Sequence, residues 1–151
     1  MKIIITGAYA IGTYLARLLS RNNEDITIID NDAERLAEIG SDYDLLTLQA
    51  PPDSVKALKN AGAETADLFI AVTPDQSLNM NCCILAKALG AKKTVAKIDS
   101  AEYVEPEMQK FFAKLGVNSL IYPEFLAAKD INNGLKMSWV RQRWDVHNGA
   151  L

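Results

Sequence analysis

An α/β fold built on a doubly wound, six-stranded parallel sheet is what this sequence predicts, and three observations carry the prediction. Short apolar runs alternate with segments of helical periodicity along the chain, the pattern of a parallel sheet covered on both faces. The runs are nearly continuous in Ile, Leu, Val and Ala, as strands buried on both sides require. Between the first run and the first helix stands Gly7-Ala8-Tyr9-Ala10-Ile11-Gly12, where a Rossmann-like sheet carries its dinucleotide-binding turn. The order expected from that turn is 3-2-1-4-5-6, with ligand at the switch point between strands one and four.

The first strand, 2–6, runs through the glycine turn into a helix over 11–20, where Ile11, Leu15, Leu18 and Leu19 recur at helical spacing. Strand 26–29 precedes a helix starting near Ala33, with Asn31 or Asp32 as its cap. Strand 44–48 precedes a helix over 54–61, stopped by Gly62. Strand 67–72 leads to a helix over 76–89, with Leu78, Cys82, Leu85 and Leu89 on one face and Gly90 at its end. Strand 93–98 leads to a helix over 103–115 carrying Val104, Met108, Phe111, Phe112 and Leu115. Strand 117–121 precedes a last helix opened by Pro123-Glu124, where proline is tolerated and a carboxylate suits the dipole.

Beyond that helix, residues 139–146 alternate with period two and His147-Asn148-Gly149 supplies a hairpin turn. A hairpin without its second strand leads us to expect that the chain stops just inside a further domain. The expected organisation is therefore a Rossmann-like domain over 1–122, a crossover or dimerisation helix over 123–138, and the start of a truncated following domain or linker over 139–151. The last helix carries Phe125, Ala128, Ile131 and Leu135 as one apolar stripe. A sheet already covered has little room for it, so the stripe is expected to cross to a second subunit through a two-fold interface; the alternative is a helix folded back on its own sheet in a monomer.

Composition narrows the function classes. The 151 residues are 49% hydrophobic and 23% charged, with a formal charge of −3, so no basic field is on hand for nucleic acid. No apolar run approaches the roughly 20 residues that cross a bilayer, and the N-terminus lacks a signal-peptide pattern. Cys82 and Cys83 are adjacent and point about 100° apart on a helix, so they read as buried apolar residues in a reducing compartment. The one histidine, His147, lies in the terminal turn. No histidine acid or base and no nucleophilic triad can be assembled, and no metal set is expected.

The candidate cofactor-binding residues gather around the turn. Gly7 and Gly12 hold the first and third glycine places, Ala8, Ala10 and Ile11 fill the segment, and Tyr9 replaces the middle glycine. Two readings of Tyr9 stand: its ring blocks the pyrophosphate, or it swings outward and stacks on a base or ribose. Blocking is preferred, because Ala10 and Ile11 add no compensating donor or charge. Asp30, followed by Asn31, ends the second strand where the ribose-binding acid belongs; it favours NAD over NADP, an exclusion that Arg35 weakens. The alternative is a plain helix cap. Thr73-Pro74-Asp75 faces the turn across the switch point, as phosphate or ribose contact or as an ordinary turn and cap. Lys97 offers one positive charge near the carboxyl edge, to meet phosphate or simply to snorkel.

These residues resemble a known family. Lys2-Ile3-Ile4-Ile5, Asp25-Ile26-Thr27-Ile28-Ile29-Asp30 with Glu34-Arg35-Leu36, and Ala61-Gly62-Ala63-Glu64-Thr65-Ala66-Asp67 leading to Ile70-Ala71-Val72-Thr73 and Asn79-Met80 carry the likeness. Lys97-Ile98-Asp99-Ser100-Ala101-Glu102-Tyr103, Gly116-Val117 and Tyr122-Pro123-Glu124 complete it. In that order they are similar to the N-terminal RCK (KTN) domain of TrkA-type regulatory subunits of potassium-uptake systems. The resemblance implies a cytosolic, non-enzymatic gating domain at the inner face of the plasma membrane that binds NAD(H) or ATP/ADP. It further implies a homodimer or higher oligomer through the last helix, docked on a membrane-embedded potassium-translocating subunit. Carried over by position, the binding residues are Gly7, Gly12, Asp30, Thr73 and Lys97. The family turn has glycine where Tyr9 stands and often Arg or Gln where Ala10 stands. Gln49-Ala50-Pro51-Pro52-Asp53 replaces the Gly-Asp pair usual after the third strand. The other readings are the cofactor-binding half of a small NAD-dependent oxidoreductase and a degenerate, non-binding dimerisation scaffold.

Overall fold

The computed structural model describes residues 1–39 and 43–123. It has one six-stranded parallel sheet in the order β3-β2-β1-β4-β5-β6. The elements are β1 (Lys2–Thr6), α1 (Ala10–Ser20), β2 (Asp25–Asp30), α2 (Ala33–Ala37), β3 (Leu46–Gln49), α3 (Val55–Asn60), β4 (Leu68–Ala71), α4 (Gln76–Leu89), β5 (Lys93–Lys97), α5 (Pro106–Leu115) and β6 (Ser119–Ile121). Three-residue and four-residue 3₁₀ turns stand at Ala63–Thr65 and Ala101–Val104. The expected fold and strand order are observed. The helix, stripe and hairpin expected after Pro123 lie outside the described residues.

Two apolar layers sandwich the sheet. On one face Ile3, Ile5, Ile26, Ile28, Leu68 and Ile70 pack under Leu15, Ala16 and Leu19 of α1 and Leu36 of α2. On the other, Ile4, Ile29, Phe69, Ala71 and Ala96 pack against Leu58 of α3 and against α4, with Phe112 of α5 at the margin. The central strands are buried almost throughout, while edge strand β3 leaves Leu46 66% exposed.

Four details depart from the sequence expectations, each for a local reason. Helix α4 presents Asn79, Met80, Cys82, Cys83 and Ala86 to the sheet, with Leu78, Leu85 and Leu89 at the flanks. Its small side chains share one core with Ala71 and Ala96, the leucines lying partly buried against it, and Cys83 Sγ donates to the Val95 carbonyl at 3.3 Å. The helix expected over 103–115 breaks before Pro106, because Glu105 is held extended (ψ 141°) by the ring that follows it. Strand β3 begins at Leu46 instead of 44. Strand β6 begins at Ser119, because Asn118 and Thr94 bond through side chains there: Asn118 Oδ1 accepts from the Thr94 amide and Thr94 Oγ1 from the Asn118 amide.

Asn79 is fully buried and uses its whole amide. Its Oδ1 accepts from the Thr73 amide (2.9 Å) and hydroxyl (2.7 Å), and its Nδ2 donates to the carbonyls of Thr73 and Lys97, both at 2.9 Å. One side chain thus clamps the ends of β4 and β5 to α4. Replacing it with leucine leaves buried donors and acceptors bare. Asn79→Leu is expected to cost about 3 kcal/mol, read as a fall in Tm of roughly 6–10 °C. Burial pushes the Cys82 thiol up to about 12 and raises that of Cys83 as well. Both are inert apolar fillers at neutral pH, and a disulfide reagent should label them only at the rate of global unfolding. Burst labelling of the native protein would contradict this packing.

Candidate functional site

Register brings the site together. Thr6 pairs with Ile29 on one side and Ala71 on the other, and Ala71 with Ala96. The residues that follow, Gly7, Asp30, Val72-Thr73 and Lys97, therefore emerge along one carboxyl edge, with Gln49 opposite Asp30. The chain leaves β1 at Gly7 with φ +102°, a left-handed conformation open to glycine. A Cβ there would lie 2.9 Å from the Thr73 amide nitrogen. A Cβ on Gly12 would collide with the Gly7 carbonyl. The two glycines let α1 start against the strand ends at the switch point.

Tyr9 is the N-cap residue of α1, extended at φ −93°, with no side-chain capping bond. Thr13 is the first to donate back into the helix, to the Tyr9 carbonyl at 2.9 Å. The amides of Ala10, Ile11 and Gly12 thus have no acceptor among the described residues, and they concentrate the positive end of the helix dipole at this edge. Nothing in the Tyr9 backbone demands glycine, so the middle glycine of such turns serves close approach and not conformation. The Tyr9 ring lies under the Arg35 guanidinium, 4.2 Å from centroid to Cζ.

Asp30 is the organising charge, only 2% exposed. Its Oδ2 accepts from the Ala8 amide (2.7 Å) and its Oδ1 from the Asp32 amide (2.8 Å). Arg35 Nε lies 3.2 and 3.3 Å from the two oxygens, and its Nη2 3.1 Å from Oδ1. Arg35 also reaches Asn31 Oδ1 (3.2 Å) and Asp32 (3.2 Å). Asp32 caps α2, accepting from the amides of Glu34 and Arg35, so Asp30 is free of that plain role. Sequence reasoning noted Arg35 only as a nearby charge; its spacing from Asp30, one helical turn into α2, was the available signal.

On the other side of the switch point the Thr73 hydroxyl is turned inward, donating to Asn79 and accepting from the Asp75 amide at 3.2 Å. Asp75 caps α4 through Ser77 and Leu78. Gln76 Oε1 accepts from the amides of Asp99 and Ser100, tying the loop after β5 to this rim. Lys97 is half-buried, and its ammonium bonds to no other described residue. A hollow of about 370 Å³ lies elsewhere, lined by Ser20, Asn23, Glu24, Asp25 and Asp44, whose carboxylates would repel a phosphate. Among the described residues no cluster could hold a metal ion, and no helix is long and apolar enough to cross a membrane.

Burial alone would raise the Asp30 carboxyl; the Arg35 guanidinium and the amides of Ala8 and Asp32 outweigh it and hold it below its ordinary value. A depressed carboxyl stabilises the fold above its unfolded pKa and loses that contribution as pH falls through its folded value. Stability is therefore expected to fall as pH drops below about 4, with a shallower acid limb in Asp30→Asn. In Arg35→Gln, carboxyl ¹³C titration should place Asp30 higher than in the wild type. An unchanged titration would mean that the guanidinium does not reach the carboxylate in solution.

The comparisons accord with this geometry. The chain is 39% identical over 134 residues to the Trk system potassium uptake protein TrkA of Haemophilus influenzae, covering 87% of this chain and 29% of that protein. It thus spans less than a third of that relative's length. Among solved structures, the TrkA-N domain of the Escherichia coli inner membrane protein ybaL superposes with TM-score 0.72 at 16% identity, covering 85% of this chain and 91% of that one. A GsuK channel bound to NAD superposes with TM-score 0.64 at 18% identity, covering 80% of this chain and 21% of that one. At such identities the likeness is one of fold. The TrkA-N domain family profile matches residues 3–123, from the first strand to just past β6, and the chain belongs to that family.

Proposed function

We propose that this chain is the nucleotide-binding unit of a regulatory subunit in a potassium-uptake system, acting by binding and not by catalysis. The observation that carries the reading is the uncapped start of α1 beside buried Asp30 at the switch point. Free amides and a helix dipole suit a phosphate, and a carboxylate at the end of β2 suits an adenosine ribose. NAD(H), ATP and ADP all present that pair of groups. Gly7, Ala8, Tyr9, Ala10, Ile11 and Gly12 would border the phosphates. Asp30 and Asn31 would meet the ribose, and Lys97 would meet the far phosphate or second nucleotide. Thr73 would contribute through its position, since its hydroxyl is taken by Asn79. The likeness to TrkA supports a membrane-embedded potassium-translocating subunit as partner, at the inner face of the plasma membrane.

Calorimetry and thermal shift with NAD, NADH, ATP and ADP test the binding. A ligand at a hundredfold excess over its Kd should stabilise the protein by about 2.7 kcal/mol. Asp30→Ala should weaken an adenosine-containing ligand by roughly 1–3 kcal/mol. No stabilisation by any of the four would reject the reading and favour a scaffold that has lost its ligand. Assembly is a separate part of the proposal, assigned to the stripe Phe125, Ala128, Ile131 and Leu135. Sedimentation equilibrium should show a dimer that Ile131→Asp with Leu135→Asp dissociates; a wild-type monomer at high micromolar concentration would contradict it.

A further inference from the structure

While Arg35 is in place, Asp30 can accept from a ribose hydroxyl only by giving up one of its present donors. Its oxygens take two amides and a guanidinium that contacts both of them, which accounts for the lone pairs of a carboxylate. The carboxylate that would receive a ribose 2′ hydroxyl, and that would repel a 2′ phosphate, is thus already neutralised by a partner. The guanidinium is held on several sides: Asn31 and Asp32 bond its Nη atoms and the Tyr9 ring takes one face. The Arg35 side chain remains 29% exposed, so a ligand can approach it from the solvent side.

We propose that Arg35, positioned by Tyr9 and paired with Asp30, sets the cofactor specificity of this cleft, admitting adenine dinucleotides phosphorylated on the ribose 2′ oxygen beside the unphosphorylated form. The inference rests on the nucleotide-binding reading above. A bare acid at the end of β2 excludes a 2′ phosphate by charge, while an arginine at the same place receives one. Here both are present and bonded to each other. Asp30, Asp32 and Arg35 together carry one net negative charge, and Asp32 directs an oxygen to the α2 amides. The balance favours tolerance of the 2′ phosphate over preference for it.

Titration of the chain with NAD and with NADP tests this, read as the ratio of the two Kd values. The wild-type ratio should lie within about threefold of one. Arg35→Gln bares Asp30 and should shift the ratio about tenfold towards NAD, the scale of one uncompensated charge near the phosphate. Arg35→Lys keeps the charge and should hold the ratio near that of the wild type, with thermal unfolding checking that each variant is folded. A wild type preferring NAD by more than about thirtyfold, or an Arg35→Gln ratio equal to that of the wild type, overturns the specificity role and leaves nucleotide binding standing. Failure of the wild type to bind either dinucleotide overturns the specificity role, and failure with ATP and ADP as well overturns the nucleotide-binding reading.

Discussion

Two approaches of bare backbone govern the molecule: Gly7 against the Val72-Thr73 peptide, and Gly12 against the Gly7 carbonyl. Because neither position carries a Cβ, α1 begins at the strand ends and not a side chain's width above them. That closeness aims the uncapped amides of Ala10, Ile11 and Gly12 at the carboxyl edge. It also lets β1 continue its ladder into the turn, with Gly7 donating to the Ile29 carbonyl and Val72 to the Thr6 carbonyl, each at 2.9 Å. An alanine at either glycine would have to push apart elements that are hydrogen-bonded on both sides of β1.

The same edge contains a buried carboxylate, which is costly unless paired and hydrogen-bonded. Asp30 meets both conditions by drawing on three groups: the Ala8 amide in the turn after β1, the Asp32 amide at the cap of α2, and the Arg35 guanidinium within α2. The group best suited to hold a ribose is therefore also the one that fixes the two loops around it. A ligand entering here must exchange hydrogen bonds with the protein, replacing the contacts of Arg35 or working alongside them. Across the switch point Asn79 has the matching part, since its amide fixes the ends of β4 and β5 and leaves Thr73 with no hydroxyl to offer.

Much of this was legible in the residues. The alternation of apolar runs and helical segments was enough for the sheet and its order, and Gly7, Gly12 and Asp30 marked the edge where the candidate site is proposed. What escaped is what depends on distant neighbours. Asn79 stands outside the apolar face expected of α4, and only the sheet beneath the helix reveals it as the clamp between two strands. The Tyr9 ring can be placed only once α2 brings Arg35 over it. Leu78, Cys82, Leu85 and Leu89 suggested the buried face of α4; Cys82 is buried there, whereas the three leucines are only partly buried and Met80, Cys83 and Ala86 share the core with Ala71 and Ala96. The break before Pro106 was legible from the proline and was masked by the apolar spacing running through it.

The central claim is that the free amides of α1 and the Asp30 cluster form one nucleotide site at the switch point. Amide chemical-shift mapping of the labelled chain with ADP tests it most directly. The account predicts saturable shifts at Ala8 to Thr13 and Asn31 to Arg35, with little change around Ser20, Asn23 and Asp44. Shifts confined to that second hollow, or none at millimolar ADP, would contradict it.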